Sequence, residues 1–219
     1  MSKKETVEPE KSDKSDKSDK SVKTEKALFI QRFVAFIIDI LLISMVASFI
    51  VVPFVDNDSI TKLTDSGNEV SEKYLAGEID EKAYFTESMN ITYQMARKNG
   101  ALTFVTLLLE ILYFIVFQFY RGGQTIGKKL MKIKVVSTDG DMTINQMLFR
   151  ALIIDMILLD MIVFGFVIFA PVNVYYYGTL VLEIIQYLII FVSVVMICFN
   201  KSRRGLHDLI ARTEVVKVS

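Results

Sequence analysis

Apolar residues fall along this chain in four long blocks separated by polar stretches, and that pattern sets the expected architecture. Residues 33–55 are almost entirely Ile, Leu, Val, Phe, Ala, Ser and Met, broken by Asp39 and, near the end, by Pro53. Further blocks cover residues 101–119, 151–170 and 179–199. About 20 apolar residues in a helix span roughly 30 Å, enough to cross a bilayer. The pattern therefore predicts membrane helices over about 31–55, 101–119, 147–170 and 179–199. Thr143 and Gln146 have capping-box spacing, so the third helix is expected to begin there and lie along the interface before entering the membrane. Residues 171–178 read as a turn whose three tyrosines suit the membrane–water interface.

The polar stretches carry their own signals. Residues 1–26 contain Lys-Ser-Asp in tandem and almost no large apolar residue. Such a segment cannot bury enough surface to offset its ordering entropy, so a disordered tail is expected there. Residues 56–99 are rich in Asp and Glu, are punctuated by Gly67 and Gly77, and show helical spacing of apolar positions from Glu81 onward. One or two amphipathic helices are expected in that insert. Lys132 to Val136 alternates like a half-buried strand, Asp139-Gly140 is a hairpin-turn signal, and residues 142–144 are a candidate return strand. Glu214 to Val218 is a second strand candidate, able to pair with the first and tie the chain's end to its middle.

Charge adds orientation rather than chemistry. The formal net charge is zero over 219 residues, so no overall field points to nucleic acid. Arg121, Lys128, Lys129, Lys132, Lys134 and Arg150 lie between the second and third blocks, and Lys201, Arg203, Arg204 and Arg212 follow the fourth. With four spans these stretches share a side with the N-terminus, which the positive-inside rule places in the cytoplasm. The acidic insert is then extracellular, and the expected location is the cell membrane. One cysteine, Cys198, and one histidine, His207, allow neither a disulfide framework nor a Cys/His metal cluster. No cofactor is expected. The first block is too long for the apolar core of a cleavable signal peptide and is expected to remain as a membrane helix.

Candidate chemistry lies in the acids within the apolar blocks. Asp39, Glu110, Asp155 and Asp160 are candidates for an ion or proton site, because intramembrane carboxyls are costly and a raised pKa would let one site exchange a proton for a monovalent cation. Glu183 is a further acid, close to the outer face. Asp155 and Asp160 are about 140° apart on a helix, so they need not share a site. The alternative for Asp39 and Asp155 is structural, as partners of Arg32 and Arg150 near the interface. Arg32 and Asp39 are seven residues apart, almost on one face.

Gly122-x4-Gly127-Lys128 matches most of a phosphate-binding loop, but Lys129 stands where Ser or Thr would bind the metal and a membrane helix precedes it. Glycines that let the chain turn sharply explain the pattern better. The neighbouring lysines are candidates for anionic lipid headgroups. His207 and Asp208 are adjacent and point about 100° apart on a helix, which does not make a catalytic dyad, and no nucleophile sits in an activating setting. Asp208 is expected to accept hydrogen bonds, with Arg32 as one candidate donor. No enzymatic activity is expected.

Three patches resemble one family. Arg32-x-x-Ala35-x-x-Ile38-Asp39 resembles the signature of the RDD family of membrane proteins, named for an arginine and two aspartates. The run from Gly123 to Val136 is similar to the motif after that family's second helix. Arg203 to Thr213, containing Gly205-Leu206-His207-Asp208, is similar to its C-terminal motif. The likeness spans about residues 27–216, and motif matching makes Arg32, Asp39 and Asp208 the named trio. Some family members are linked to cation/proton exchange, which implies transport for this chain.

The expectation is an all-α membrane protein: a four-transmembrane-helix bundle with a small cytoplasmic β element and an extracellular helical insert. Its partners are the bilayer, anionic lipid headgroups, and monovalent cations or protons. Two functions are carried forward: a transport-related protein, or a non-transporting scaffold or partner subunit. A bundle this small often needs copies of itself to enclose a path, so homo-oligomerisation is left open.

Overall fold

The computed structural model describes residues 25–218; residues 1–24 of the predicted tail lie outside them. Helix α1 runs Phe29–Phe54, its last turn tightening to a 3-10 helix over Val52–Phe54 where Pro53 removes a backbone donor. Helices α2, Asn57–Leu75, and α3, Glu81–Lys98, form a polar hairpin that fills the predicted insert. Both begin on aspartates that accept a backbone N–H: Asp56 from Ser59 and Asp80 from Ala83. Tyr74 stacks on Tyr84 across the hairpin with ring centroids 4.6 Å apart.

Helix α4 covers Gly100–Tyr120 and contains a π-helical stretch at Ile111–Phe117. A short helix α5, Ile126–Leu130, leads to strand β1, Ile133–Ser137. Next come α6, Ile144–Ile154, and α7, Ile157–Phe169, bent 64° from each other. Helix α8, Val172–Phe199, is followed by the short α9, Leu206–Ile210, and strand β2, Thr213–Lys217. Three helices, α1, α4 and α8, are long and apolar enough to cross a membrane, and the bent pair α6–α7 makes four if counted as one span.

β1 and β2 pair antiparallel, Ile133 opposite Lys217 and Ser137 opposite Thr213, as the alternation of the two segments predicts. Ala27 N–H also donates to the Val215 carbonyl, 3.0 Å, and Lys26 bridges to Val216. The start of the first membrane helix and the end of the chain are therefore fastened at one end of the bundle, and the α2–α3 hairpin lies beyond the other end of α1. Glu25 and Lys26, assigned by composition to the tail, lie along β2, with Lys217 Nζ 2.6 Å from Glu25.

Several expectations are corrected. The return strand at 142–144 does not form, because β2 takes that place beside β1. The turn expected over 171–178 is helical from Val172: Pro171 has no N–H to lose at a helix start and a φ already suited to it. Tyr175, Tyr176 and Tyr177 pack against Tyr93 and Phe85 of α3, and Tyr93 Oη donates to the free Ala170 carbonyl at the end of α7, 2.8 Å. The third membrane helix is not continuous. Its capping box at Thr143 and Gln146 forms as predicted, but the helix stops at Ile154 and resumes after Met156, whose φ of 60° is left-handed. The break frees backbone carbonyls between two apolar helices, and Gln186 of α8 donates to one of them, Ile153, at 2.7 Å.

Candidate functional site

Asp39 is 1% exposed, and its carboxylate is filled by donors from two other elements. Thr125 Oγ1 donates to one oxygen at 2.5 Å; Tyr113 Oη at 2.6 Å and Gly127 N–H at 2.7 Å donate to the other. Tyr113 Oη in turn accepts the Ile126 N–H at 2.8 Å. The predicted turn motif is thus held to α1 by one carboxylate, which explains its glycines. Gly127 lies so close to the Ala35 carbonyl and the Asp39 carboxyl that no Cβ fits, and Gly123, at a φ of 86°, is pressed against the backbone of Val135.

Asp208 is fully buried and holds the second cluster. Arg32 donates to one oxygen at 2.7 Å, Arg150 pairs with the other, and Gly205 N–H and Thr213 Oγ1 add bonds at 3.1 and 3.4 Å. Arg32 also donates to the Arg203 carbonyl at 2.6 Å. One acid therefore joins α1, α6, α9 and β2. Arg32 pairs with Asp208, the donor offered from sequence; the alternative pairings, Arg32 with Asp39 and Arg150 with Asp155, are both replaced. Arg32 reaches Asp208 on α9 and the Arg203 carbonyl, while Asp39, seven residues further along α1, meets α4 and α5.

His207 sits beside this cluster with Nδ1 2.6 Å from Ser193 Oγ, which also accepts the Leu206 N–H. Burial, then the positive charges of Arg150, Arg32 and Lys128, push the imidazole well below its ordinary range, so it is neutral at physiological pH. With Ser193 Oγ donating to Nδ1, the proton is assigned to Nε2, facing Asp208.

A cavity of about 210 Å³ lies between these clusters. Its polar lining is Arg32, Asp39, Lys128, Arg150, Asp155, Ser193 and His207, and the remainder is aromatic and aliphatic. Asp155 stands at the break between α6 and α7, buried at 7% exposure, and makes no side-chain hydrogen bond among the described residues. Lys128 faces the same cavity, donating to Gln118 Oε1 at 3.1 Å over the ring of Phe114. Burial brings its ammonium down to about 8 despite the attraction of Asp155.

Glu110 and Asp160 meet elsewhere. Their carboxyls face each other at hydrogen-bonding range between α4 and α7, and Asp155 is near enough to add its charge. Glu110 is buried at 8% exposure, and its Oε2 is enclosed without a hydrogen-bond donor. Two carboxyls can bond each other only when one holds a proton, so the pair is built to share one proton or to bind a cation between its oxygens. Among the described residues no group of three or more His, Cys, Asp or Glu is placed to hold a metal ion.

The candidate acids thus separate into three settings. Asp39 is saturated by donors, Asp155 lies open to the cavity, and Glu110 faces Asp160. Tyr113, Gln118 and Ser193 carry no signal in the sequence: each sits in an apolar run with no motif around it, and its role depends on the π-helical stretch or on an α8–α9 contact. Gln186 is another; only the break at Met156 gives its amide a partner.

The model of the RDD family matches residues 26–212. No curated protein and no solved structure matches the chain.

Proposed function

The chain belongs to the RDD family and is a membrane protein, and on that premise we propose that it exchanges a monovalent cation for a proton at the Glu110–Asp160 pair. The observation that carries this reading is the enclosed Glu110 Oε2, without a donor, opposite a second carboxyl inside an apolar span. A carboxyl in that setting is costly unless it holds a proton or a cation, and alternation between the two is exchange. Asp155 lines the cavity and is near enough to Glu110 to act on its charge, which supports access to the pair from the cavity. Basic residues at the sheet end support placing it, with both termini, in the cytoplasm of a cell that carries the protein in its boundary membrane. The hairpin of α2 and α3 is then outside. No catalytic step belongs to this reading.

A scaffold reading also has an observation behind it. All three family-motif residues, Arg32, Asp39 and Asp208, are spent on fastening α5, the sheet and α9 to the bundle. Purified protein in weakly buffered detergent separates the two readings. Exchange predicts that adding Na⁺, K⁺ or Li⁺ releases protons from the wild type and not from E110Q or D160N. No release with any of the three ions favours the scaffold.

A further inference from the structure

A second cavity, about 300 Å³, opens where α4 ends and the chain turns into α5. It is lined by Phe117, Tyr120, Arg121, Gln124, Thr125 and Lys129, with Ile126 at its edge and no carboxylate in its wall. Arg121 lies over the Phe117 ring, 5.9 Å from its centroid, which orders the guanidinium without neutralising it. Among the described residues neither Arg121 nor Lys129 has an acidic partner. Two unneutralised cations in a polar concavity at the end of a membrane span call for an anion with several oxygens, and the planar guanidinium suits a phosphate.

The remaining groups narrow the ligand. Gln124 Nε2 is committed to the Ile133 carbonyl at 3.0 Å, so its amide oxygen is left as an acceptor. Thr125 Oγ1 is committed to Asp39 and the Ile126 N–H to Tyr113. The wall thus offers two cations for a phosphate and one acceptor for a hydroxyl beyond it. A phosphoglycerol supplies both; a phosphocholine has no donor for Gln124. At the opening, Tyr120 and Ile126 are exposed by 78% and 39%, an aromatic and apolar rim suited to the level where lipid headgroups meet acyl chains.

We infer that this cavity is a binding site for the headgroup of an anionic phosphoglycerol phospholipid, with Arg121 and Lys129 on the phosphate and Gln124 on the glycerol. The site is separate from the carboxyl pair and stands whether or not the protein exchanges ions.

The test titrates the purified full-length protein in detergent with short-chain phosphatidylglycerol and follows the rise of the thermal unfolding midpoint, which reports binding to the folded state. Short-chain phosphatidylcholine and glycerol 3-phosphate are titrated in parallel. Phosphatidylglycerol is expected to raise the midpoint of the wild type and of K201Q equally. R121Q and K129Q singly should weaken the apparent affinity about fivefold, and the double variant at least about tenfold. Equal shifts from phosphatidylcholine, or an unaltered affinity in both single variants, would overturn the site. An equal shift from glycerol 3-phosphate would overturn the lipid as its occupant and leave a soluble phosphate in its place.

Discussion

Replacing Asp39 by asparagine keeps the size of the side chain and removes the charge. The carboxylate accepts bonds from Tyr113, Thr125 and the Gly127 N–H, all at 2.7 Å or less. Hydrogen bonds to a charged group contribute about 1.5–3 kcal/mol and neutral ones about 0.5–1.5 kcal/mol. Asparagine keeps one oxygen, enough for Tyr113 and Gly127 as neutral bonds, but turns an NH₂ toward Thr125. The sum lost is offset by the lower cost of burying a neutral group, leaving roughly 2–4 kcal/mol of expected destabilisation. The loss is local, because these bonds hold α5 against α1. Limited trypsin digestion after Lys128 and Lys129 reads it directly: opening should become about 30- to 1,000-fold more frequent in D39N, and cleavage faster in proportion. An unchanged cleavage rate together with abolished ion exchange would refute the argument and make Asp39 an ion ligand.

Two further outcomes follow from the buried charges. D208N leaves the Arg32 and Arg150 guanidiniums enclosed without a counter-charge, and about 3–5 kcal/mol of destabilisation is expected, seen as loss of monodisperse protein after solubilisation; R32K, which keeps the charge, should fold and be milder. Lys128 binds its proton less tightly when folded, at about 8 against 10.5 in the open chain, so the unfolded state holds more protons between those values and stability rises with pH across that window. The thermal midpoint, compared with K128M, should climb from pH 8 to 10 in the wild type by the equivalent of about 2 kcal/mol and stay flat in the variant.

Much of this arrangement is legible in the sequence because bilayer crossing and strand pairing are written in local periodicity. The apolar blocks locate the spans, Thr143 and Gln146 locate the start of α6, and the alternation of residues 132–136 and 214–218 locates the sheet. The break between α6 and α7 is not legible. Residues around Asp155 and Met156 have no glycine or proline, and the left-handed turn at Met156 is maintained by tertiary partners, Gln186 among them. The ion pairs are half legible for a related reason. Composition requires the buried arginines and aspartates to find partners, yet the choice of Asp208 for both Arg32 and Arg150 depends on where α9 docks. Glu110 and Asp160 meet because α4 and α7 lie side by side, a relation between segments some fifty residues apart that periodicity does not encode.

The most direct test of the account is cation-dependent proton flux in liposomes holding the purified protein, run with Na⁺, K⁺ and Li⁺ beside folded E110Q, D160N and D39N. Exchange at the Glu110–Asp160 pair predicts flux in the wild type, none in E110Q or D160N, and retained flux in whatever fraction of D39N is folded. Flux that survives both E110Q and D160N, or wild-type flux no greater than in empty liposomes for all three ions, would contradict it.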